Sequence, residues 1–318
     1  MEYLLLIITL VGIIVGADYL VSGAVGIARR FRISEFVIGV AIVGIGTSMP
    51  ELTVSFIGAL EGNAEVAIGN VVGSNIFNIL GILGVTALLF PMKVSRTNLK
   101  FEIPLCVGLS ILLTLLSFNF FILPEPMLSR YDGLILMMVF IVFMWISFRK
   151  GMKEASVKPF DSMEAAPAPN IWISTAKALG GLAVLIFSCD YFINSAVGIA
   201  ESFGVNDGFI SITLIACGTS LPELAASVTA AAKKNSDLSL GNIVGSNIFN
   251  IGFILGLSSQ VSPLNSPQIT PVDYAVMVLA AILPLLFGLK GRISRLGGGF
   301  MLLCYICYTV YLVKMQII

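Results

Sequence analysis

The chain has 318 residues, 57% of them hydrophobic and only 11% charged, with 18 basic residues balanced by 18 acidic ones and a mean hydropathy of +0.99. That apolar excess is more than a soluble core requires, so the composition excludes an ordinary soluble domain and leaves a polytopic membrane protein with the lipid bilayer as its surroundings and no nucleic-acid partner. Histidine is absent, which removes imidazole ligands and histidine proton relays.

About ten apolar stretches approach the roughly 20 residues that a bilayer-spanning helix needs. They fall at 2–28, 36–60, 65–90, 101–123 and 128–148, and then at 171–200, 208–232, 237–262, 271–289 and 296–315. Each is continuously apolar and too long for an alternating barrel strand, so the expectation is an all-α membrane protein. Met1-Glu2 lacks a basic leader and the first apolar run exceeds signal-peptide length, so no cleaved signal is expected. Threading the spans puts every lysine and arginine except Arg130 and Lys314 on one side, which predicts a cytoplasmic basic face and outward termini. Residues 149–170 read as a polar cytoplasmic connector, too short for a folded domain. Cys106, Cys189, Cys217, Cys304 and Cys307 all fall within spans and read as buried packing rather than metal or redox groups.

The chain repeats itself. A shift of 172 residues aligns Asp18-Tyr19 with Asp190-Tyr191, AVGIA at 24–28 with 196–200, GTSMPEL with GTSLPEL, and GNVVGSNIFNI at 69–79 with GNIVGSNIFNI at 241–251. Each half, 1–148 and 171–318, would hold five spans. An odd number inserts the second half upside down, and inverted-topology repeats are a secondary-transporter architecture. Aligned loops have opposite charge character, Glu61-Gly62 against Lys233-Lys234 and Arg29 against Glu201, as inversion requires.

The second and seventh spans carry GTSMPE (46–51) and GTSLPE (218–223), in which Pro50 and Pro222 should break the helix. Irregular backbone at membrane depth is tolerated only where it lines a cavity or meets a ligand. Glu51 and Glu223, each costing about 2.5–3.5 kcal/mol to insert, are functional candidates by default. Two such carboxylates near one another call for a shared cation, or for a proton when none is bound. Carboxylate, hydroxyl, amide and backbone oxygens suit hard ions such as calcium. In the neighbouring span Asn70, Ser74 and Asn78 share one helical face, as do Asn242, Ser246 and Asn250. Gly69, Gly73, Gly241 and Gly245 should permit close helix contact, while Asn75 and Asn247 lie off the stripe and read as packing or capping. A single GxxxS or kinked helix is ordinary membrane packing. Two copies with the same downstream stripe point to a site. Asp18 and Asp190, towards the ends of their spans, read as interhelical hydrogen-bonding groups.

At these motifs the chain resembles the sodium/calcium exchanger family of the calcium:cation antiporter superfamily, over essentially its whole length. The resemblance implies that Glu51 and Glu223 are central calcium ligands together with the backbone oxygens of Thr47 and Thr219. It further implies that Ser48, Ser74, Ser220 and Ser246, with carbonyls near Gly44 and Ala216, help form sodium sites, and that Asn78 and Asn250 line the centre. Potassium-dependent relatives carry aspartate where Asn250 stands, so the resemblance implies potassium independence. Proton/calcium exchangers show a GNxxE pattern that neither motif matches. The short connector lacks the large calcium-sensing domain of animal exchangers. The expected function is sodium/calcium antiport by alternating access with no cofactor, in a prokaryotic plasma membrane; the long first and sixth spans are candidates for the moving gate. Proton/calcium antiport and a cation channel stay open as alternatives. An intramembrane enzyme is disfavoured because the glutamates lack a nucleophile and base arrangement.

Overall fold

Long apolar runs almost free of internal polar groups can satisfy their backbone in lipid only as helices, and helices are what they form. The computed structural model describes residues 2–31, 33–118, 127–157, 170–203 and 218–317. In chain order these make α1 (Glu2–Phe31), α2 (Glu35–Thr47), α3 (Met49–Leu60), α4 (Ala64–Leu89), α5 (Asn98–Ser117), α6 (Arg130–Val157), α7 (Ile171–Ser202), α8 (Leu221–Ala232), α9 (Ser236–Val261), α10 (Pro271–Gly288) and α11 (Arg295–Ile317). Among the described residues eight helices are long and apolar enough to cross a bilayer, and α2 with α3, bent by 51°, adds a ninth if the pair counts as one span. The first part of the stretch expected at 208–232 lies outside the described residues. Its second part is α8.

Burial orders these helices around a centre. The most apolar windows of α4 and α9 are 78% and 89% buried, against 28% for α1 and 17% for both α7 and α11, so α4 and α9 form the inner pair. Around them the main apolar cluster includes Val71, Ile76, Ile79, Leu83, Ile243, Ile248 and Leu255. A second cluster joins α1 to α7 through Ala17, Leu20, Ala24, Ala178 and Leu185. These two helices approach so closely that a Cβ on Gly23 would lie 2.4 Å from the Ala178 nitrogen, and one on Gly181 would lie 2.4 Å from the Leu20 nitrogen. Small residues serve here as they do wherever lipid supplies no hydrophobic drive between helices.

The entries to α4 and α9 are capped alike. Asn63 accepts from the Val66 amide at 3.2 Å and Asn235 from the Leu238 amide at 3.0 Å, satisfying first-turn donors. Each cap follows a tight reversal with a left-handed residue, Gly62 at φ 76° and Lys234 at φ 62°.

Two details add to the expected bundle. The apolar span of α6, Arg130–Lys150, falls where 128–148 was expected, and the helix continues through Val157 because Lys, Met, Glu and Ala favour it until the chain nears Pro159; residues 158–169 lie outside the described set. Short strand pairs also join the loops of the helical bundle. Antiparallel two-residue strands pair β1 (Met92–Lys93) with β4 (Arg292–Ile293), and β2 (Met127–Leu128) with β3 (Leu264–Asn265), each tying a loop of one half to a loop of the other.

Candidate ion-binding site

In both proline motifs the new helix begins after a serine, not at proline. Ser48 (φ −83°, ψ 12°) separates α2 from α3 and Ser220 (φ −94°, ψ 10°) precedes α8, while Pro50 and Pro222 sit in the first turn of the new helix. A first-turn amide has no helical partner in any case, so proline is tolerated there at little cost. Glu51 and Glu223 also fall in those first turns, where the helix dipole favours a negative charge. Both side chains are almost wholly buried, at 1% and 0% exposure.

Each carboxylate is held by the other half of the chain. Ser48 Oγ donates to Glu223 Oε1 at 2.8 Å, and Ser220 Oγ donates to Glu51 Oε1 at 2.7 Å. Ser220 Oγ also lies 3.3 Å from Ser74 Oγ, drawing α4 into the same cluster. The second oxygens, Glu51 Oε2 and Glu223 Oε2, are buried without a hydrogen-bond partner, as are Asn78 Oδ1 and Asn250 Oδ1. Burying unpaired acceptors is costly unless something positive meets them.

The asparagine stripes divide by role. Asn70 Nδ2 donates to the Glu51 carbonyl at 3.1 Å and Ser55 Oγ at 2.9 Å; Asn242 Nδ2 donates to the Glu223 carbonyl at 3.2 Å and Ser227 Oγ at 2.8 Å. These amides brace α3 and α8 against α4 and α9 at the turn that carries the carboxylate, so they position it rather than face it. Asn78 and Asn250 lie in π-helical turns, Phe77–Leu83 and Asn250–Leu255. Helix α3 packs on the second of these turns and α8 on the first, which brings Glu51 towards the Asn250 segment and Glu223 towards the Asn78 segment. Gly39–Gly44 in α2 is a third π turn. Single π turns inside α-helices recur at functional sites because they widen the helix and leave carbonyls off the regular ladder.

Of the twelve site residues expected from sequence, the structure clusters the two glutamates with Ser48, Ser74 and Ser220 by direct hydrogen bonds. Thr47, buried, donates to the Val43 carbonyl at 2.9 Å and lies 3.3 Å from Asn242 Oδ1. It also lies against Glu223, as half-buried Thr219 lies against Glu51. Ser246 Oγ donates to the Gly44 carbonyl at 3.3 Å, joining both to α9. Ala216, like Cys217, lies outside the described residues.

Elsewhere the close-contact glycines divide. A Cβ at Gly241 would meet the Phe36 carbonyl at 2.4 Å and one at Gly245 the Val40 Cα at 2.9 Å, as expected of close packing, whereas Gly69 meets only the tip of Ile269, at 3.2 Å. The positions equivalent to Phe36 and Val40, 208 and 212, fall outside the described residues, and Gly73 has no described atom against it. Asp18 forms an ion pair with Lys233 at 2.7 Å, linking α1 to the end of α8, while Asp190 accepts from Asn194 on its own helix, at 3.4 Å. Cys106 and Cys189 are buried, but Cys307 is exposed and Cys304 only half-buried. Both lie on α11, where Cys304 packs against the main apolar cluster, whereas buried packing does not describe Cys307. Sequence reasoning missed Ser55 and Ser227 as braces, although their spacing of 172 residues was a usable signal.

A multi-pass helical fold in which the first turns of α3 and α8 carry buried carboxylates to meet a polar inner pair is that of an ion-transporting membrane protein. The description of the sodium/calcium exchanger protein family matches residues 1–149 and 173–314, and the chain belongs to that family. The chain is 38% identical to the "Putative antiporter CaxA" of Alkalimonas amylolytica over 96% of its own length and 98% of that protein's. It is 33% identical to the sodium/calcium exchanger MaX1 of Methanosarcina acetivorans, over 98% of each. Its structure matches that of the sodium-calcium exchanger NCX_Mj soaked with zero Na+ and Ca2+ with a TM-score of 0.84, at 30% identity and 98% coverage of both chains. The family is one of exchangers, not enzymes, and the segment between the two matched stretches is too short to hold a large regulatory domain.

Proposed function

We propose that the chain is a sodium-coupled calcium antiporter in which Glu51 and Glu223 hold either one calcium ion or a set of sodium ions, never both. One observation carries this reading: both carboxylates are buried, each is fixed through one oxygen by a serine of the opposite half, and each leaves its second oxygen without a partner. Two negative charges match one divalent cation, and the hydroxyl, carbonyl and amide oxygens nearby suit hard ions rather than soft ones. Thr47, Thr219, Ser74, Ser246, Asn78, Asn250, Gly44 and Ala216 complete the proposed donor set. Mutual exclusion of the two loads couples their movement. If more than two sodium ions exchange for each calcium, every cycle moves net charge and responds to voltage.

The proposal extends to architecture. Ten spans form two inverted repeats, 1–148 and 171–318, joined by a cytoplasmic connector at 149–170, with both termini outside a plasma membrane. Reciprocal contacts 172 residues apart support this, as does the second apolar cluster, which joins the two gate candidates α1 and α7 to each other. Calcium uptake into proteoliposomes of the purified protein tests the function. An outward sodium gradient should drive uptake and a pH gradient alone should not. Uptake driven by the pH gradient alone would make it a proton/calcium antiporter, and conduction without any counter-ion would make it a channel.

A further inference from the structure

The sequence gives Asn75 and Asn247 no role beyond packing or capping, yet the structure places each of them between a backbone carbonyl and an amide of the proposed ion site. Asn247 Nδ2 donates to the Asn75 backbone carbonyl at 3.1 Å, and Asn75 Nδ2 donates to the Asn247 backbone carbonyl at 3.4 Å. A backbone carbonyl can only accept, so each of these side chains must turn its NH2 group towards it and its oxygen away. The two oxygens so directed are both used. Asn247 Oδ1 accepts from Asn78 Nδ2 at 2.9 Å and Asn75 Oδ1 accepts from Asn250 Nδ2 at 3.1 Å.

Polarity is thereby handed on. With its NH2 group committed to Asn247, Asn78 can offer only Oδ1 to the centre, and Asn250 is constrained in the same way by Asn75. Both Oδ1 atoms are buried and lack a partner. All four asparagines are at most 2% exposed, so water does not compete for these bonds. An asparagine free to rotate would present donor or acceptor with similar ease, and a donor facing a cation repels it.

We propose that Asn75 and Asn247 are positioning residues that fix the amide polarity of Asn250 and Asn78, so that both face the transported cation with oxygen. The proposal rests on the ion-site reading above. It separates these two residues from simple packing through a thermodynamic coupling. A carboxylate has two equivalent acceptor oxygens and needs no orienting, so the role of Asn75 vanishes when residue 250 is aspartate, and that of Asn247 vanishes when residue 78 is aspartate.

The test is calcium/calcium self-exchange in proteoliposomes, which needs neither a sodium nor a proton gradient, read as the calcium concentration for half-maximal exchange. Asn75→Ala is expected to raise that concentration at least tenfold in the otherwise unchanged protein but less than threefold in an Asn250→Asp background. Asn247→Ala should behave likewise without and with Asn78→Asp. Should Asn75→Ala fail to fold, Asn75→Ser serves in its place, because a hydroxyl rotates and cannot dictate polarity. An equal cost in both backgrounds would overturn the inference while leaving the ion site intact. Absence of calcium exchange in the unsubstituted protein would overturn the proposed function and this inference with it.

Discussion

Ser48 and Glu223 lie 175 residues apart in sequence and share a 2.8 Å hydrogen bond at full burial, matched by the 2.7 Å bond from Ser220 to Glu51. The serine at the start of each helix thus supplies the donor that orients the carboxylate of the other. Hydrogen bonds to a charged group contribute about 1.5–3 kcal/mol, so Ser48→Ala and Ser220→Ala should each weaken calcium affinity by roughly ten- to a hundredfold. Half-saturating calcium in self-exchange reports it; an unchanged value would remove the cross-brace from the mechanism.

Neutralising a carboxylate should be more severe for transport and milder for the fold. Glu51→Gln and Glu223→Gln remove the charge but keep the shape and one acceptor, so both are expected to abolish uptake while the purified protein remains monodisperse. Retained uptake in both variants would exclude these residues as the site.

Ligand removal should register as stability. A cation that binds only the folded state at a hundred times its dissociation constant adds about 2.7 kcal/mol. Calcium chelation is therefore expected to lower the melting temperature of the native protein and to leave that of Glu51→Gln unchanged. An equal shift in both would place the stabilising ion elsewhere.

The ion pair of Lys233 with Asp18 joins a gate candidate to the end of α8, with Lys233 also donating to Ser22 Oγ at 2.8 Å. The side chains are 35% and 57% exposed, and pairs so placed contribute only about 0–1 kcal/mol. Asp18→Asn should thus barely move the melting temperature. If α1 shifts during the cycle, the substitution changes maximal exchange rate by a few fold with affinity unaltered, which initial-rate measurements separate.

Close approach of α1 and α7 makes Gly23 intolerant of a side chain. The added Cβ would meet backbone atoms of Ala178 and Ser174, which cannot rotate aside. Gly23→Ala is expected to cost about 1–3 kcal/mol, seen as a lower melting temperature. Wild-type stability in that variant would show that the helices can separate freely.

Much of the proposed site could be read from the chain because carboxylates and irregular helices are expensive in lipid, and duplication at a fixed spacing makes chance an unsatisfactory account of them. Glu51, Glu223, Ser48 and Ser220 stand out on that ground alone. Asn75 and Asn247 did not, since their work depends on which backbone carbonyl each amide meets, and that carbonyl belongs to a helix on the far side of the repeat. The same limit applies to the start of the new helix, placed at proline by local rules and after serine by the fold, and to the π turns around Asn78 and Asn250, which leave no pattern in composition.

Hydropathy and repetition by themselves determined a helical membrane protein and the residue types of an oxygen-rich centre, because both follow from the cost of polar groups in hydrocarbon. Tertiary structure alone decided the pairings: which serine holds which glutamate, which asparagines brace and which face inward, and that α1 is tied to Lys233. Those choices depend on hydrogen-bond direction across helices distant in sequence, and a linear chain does not carry direction until its two halves are packed together.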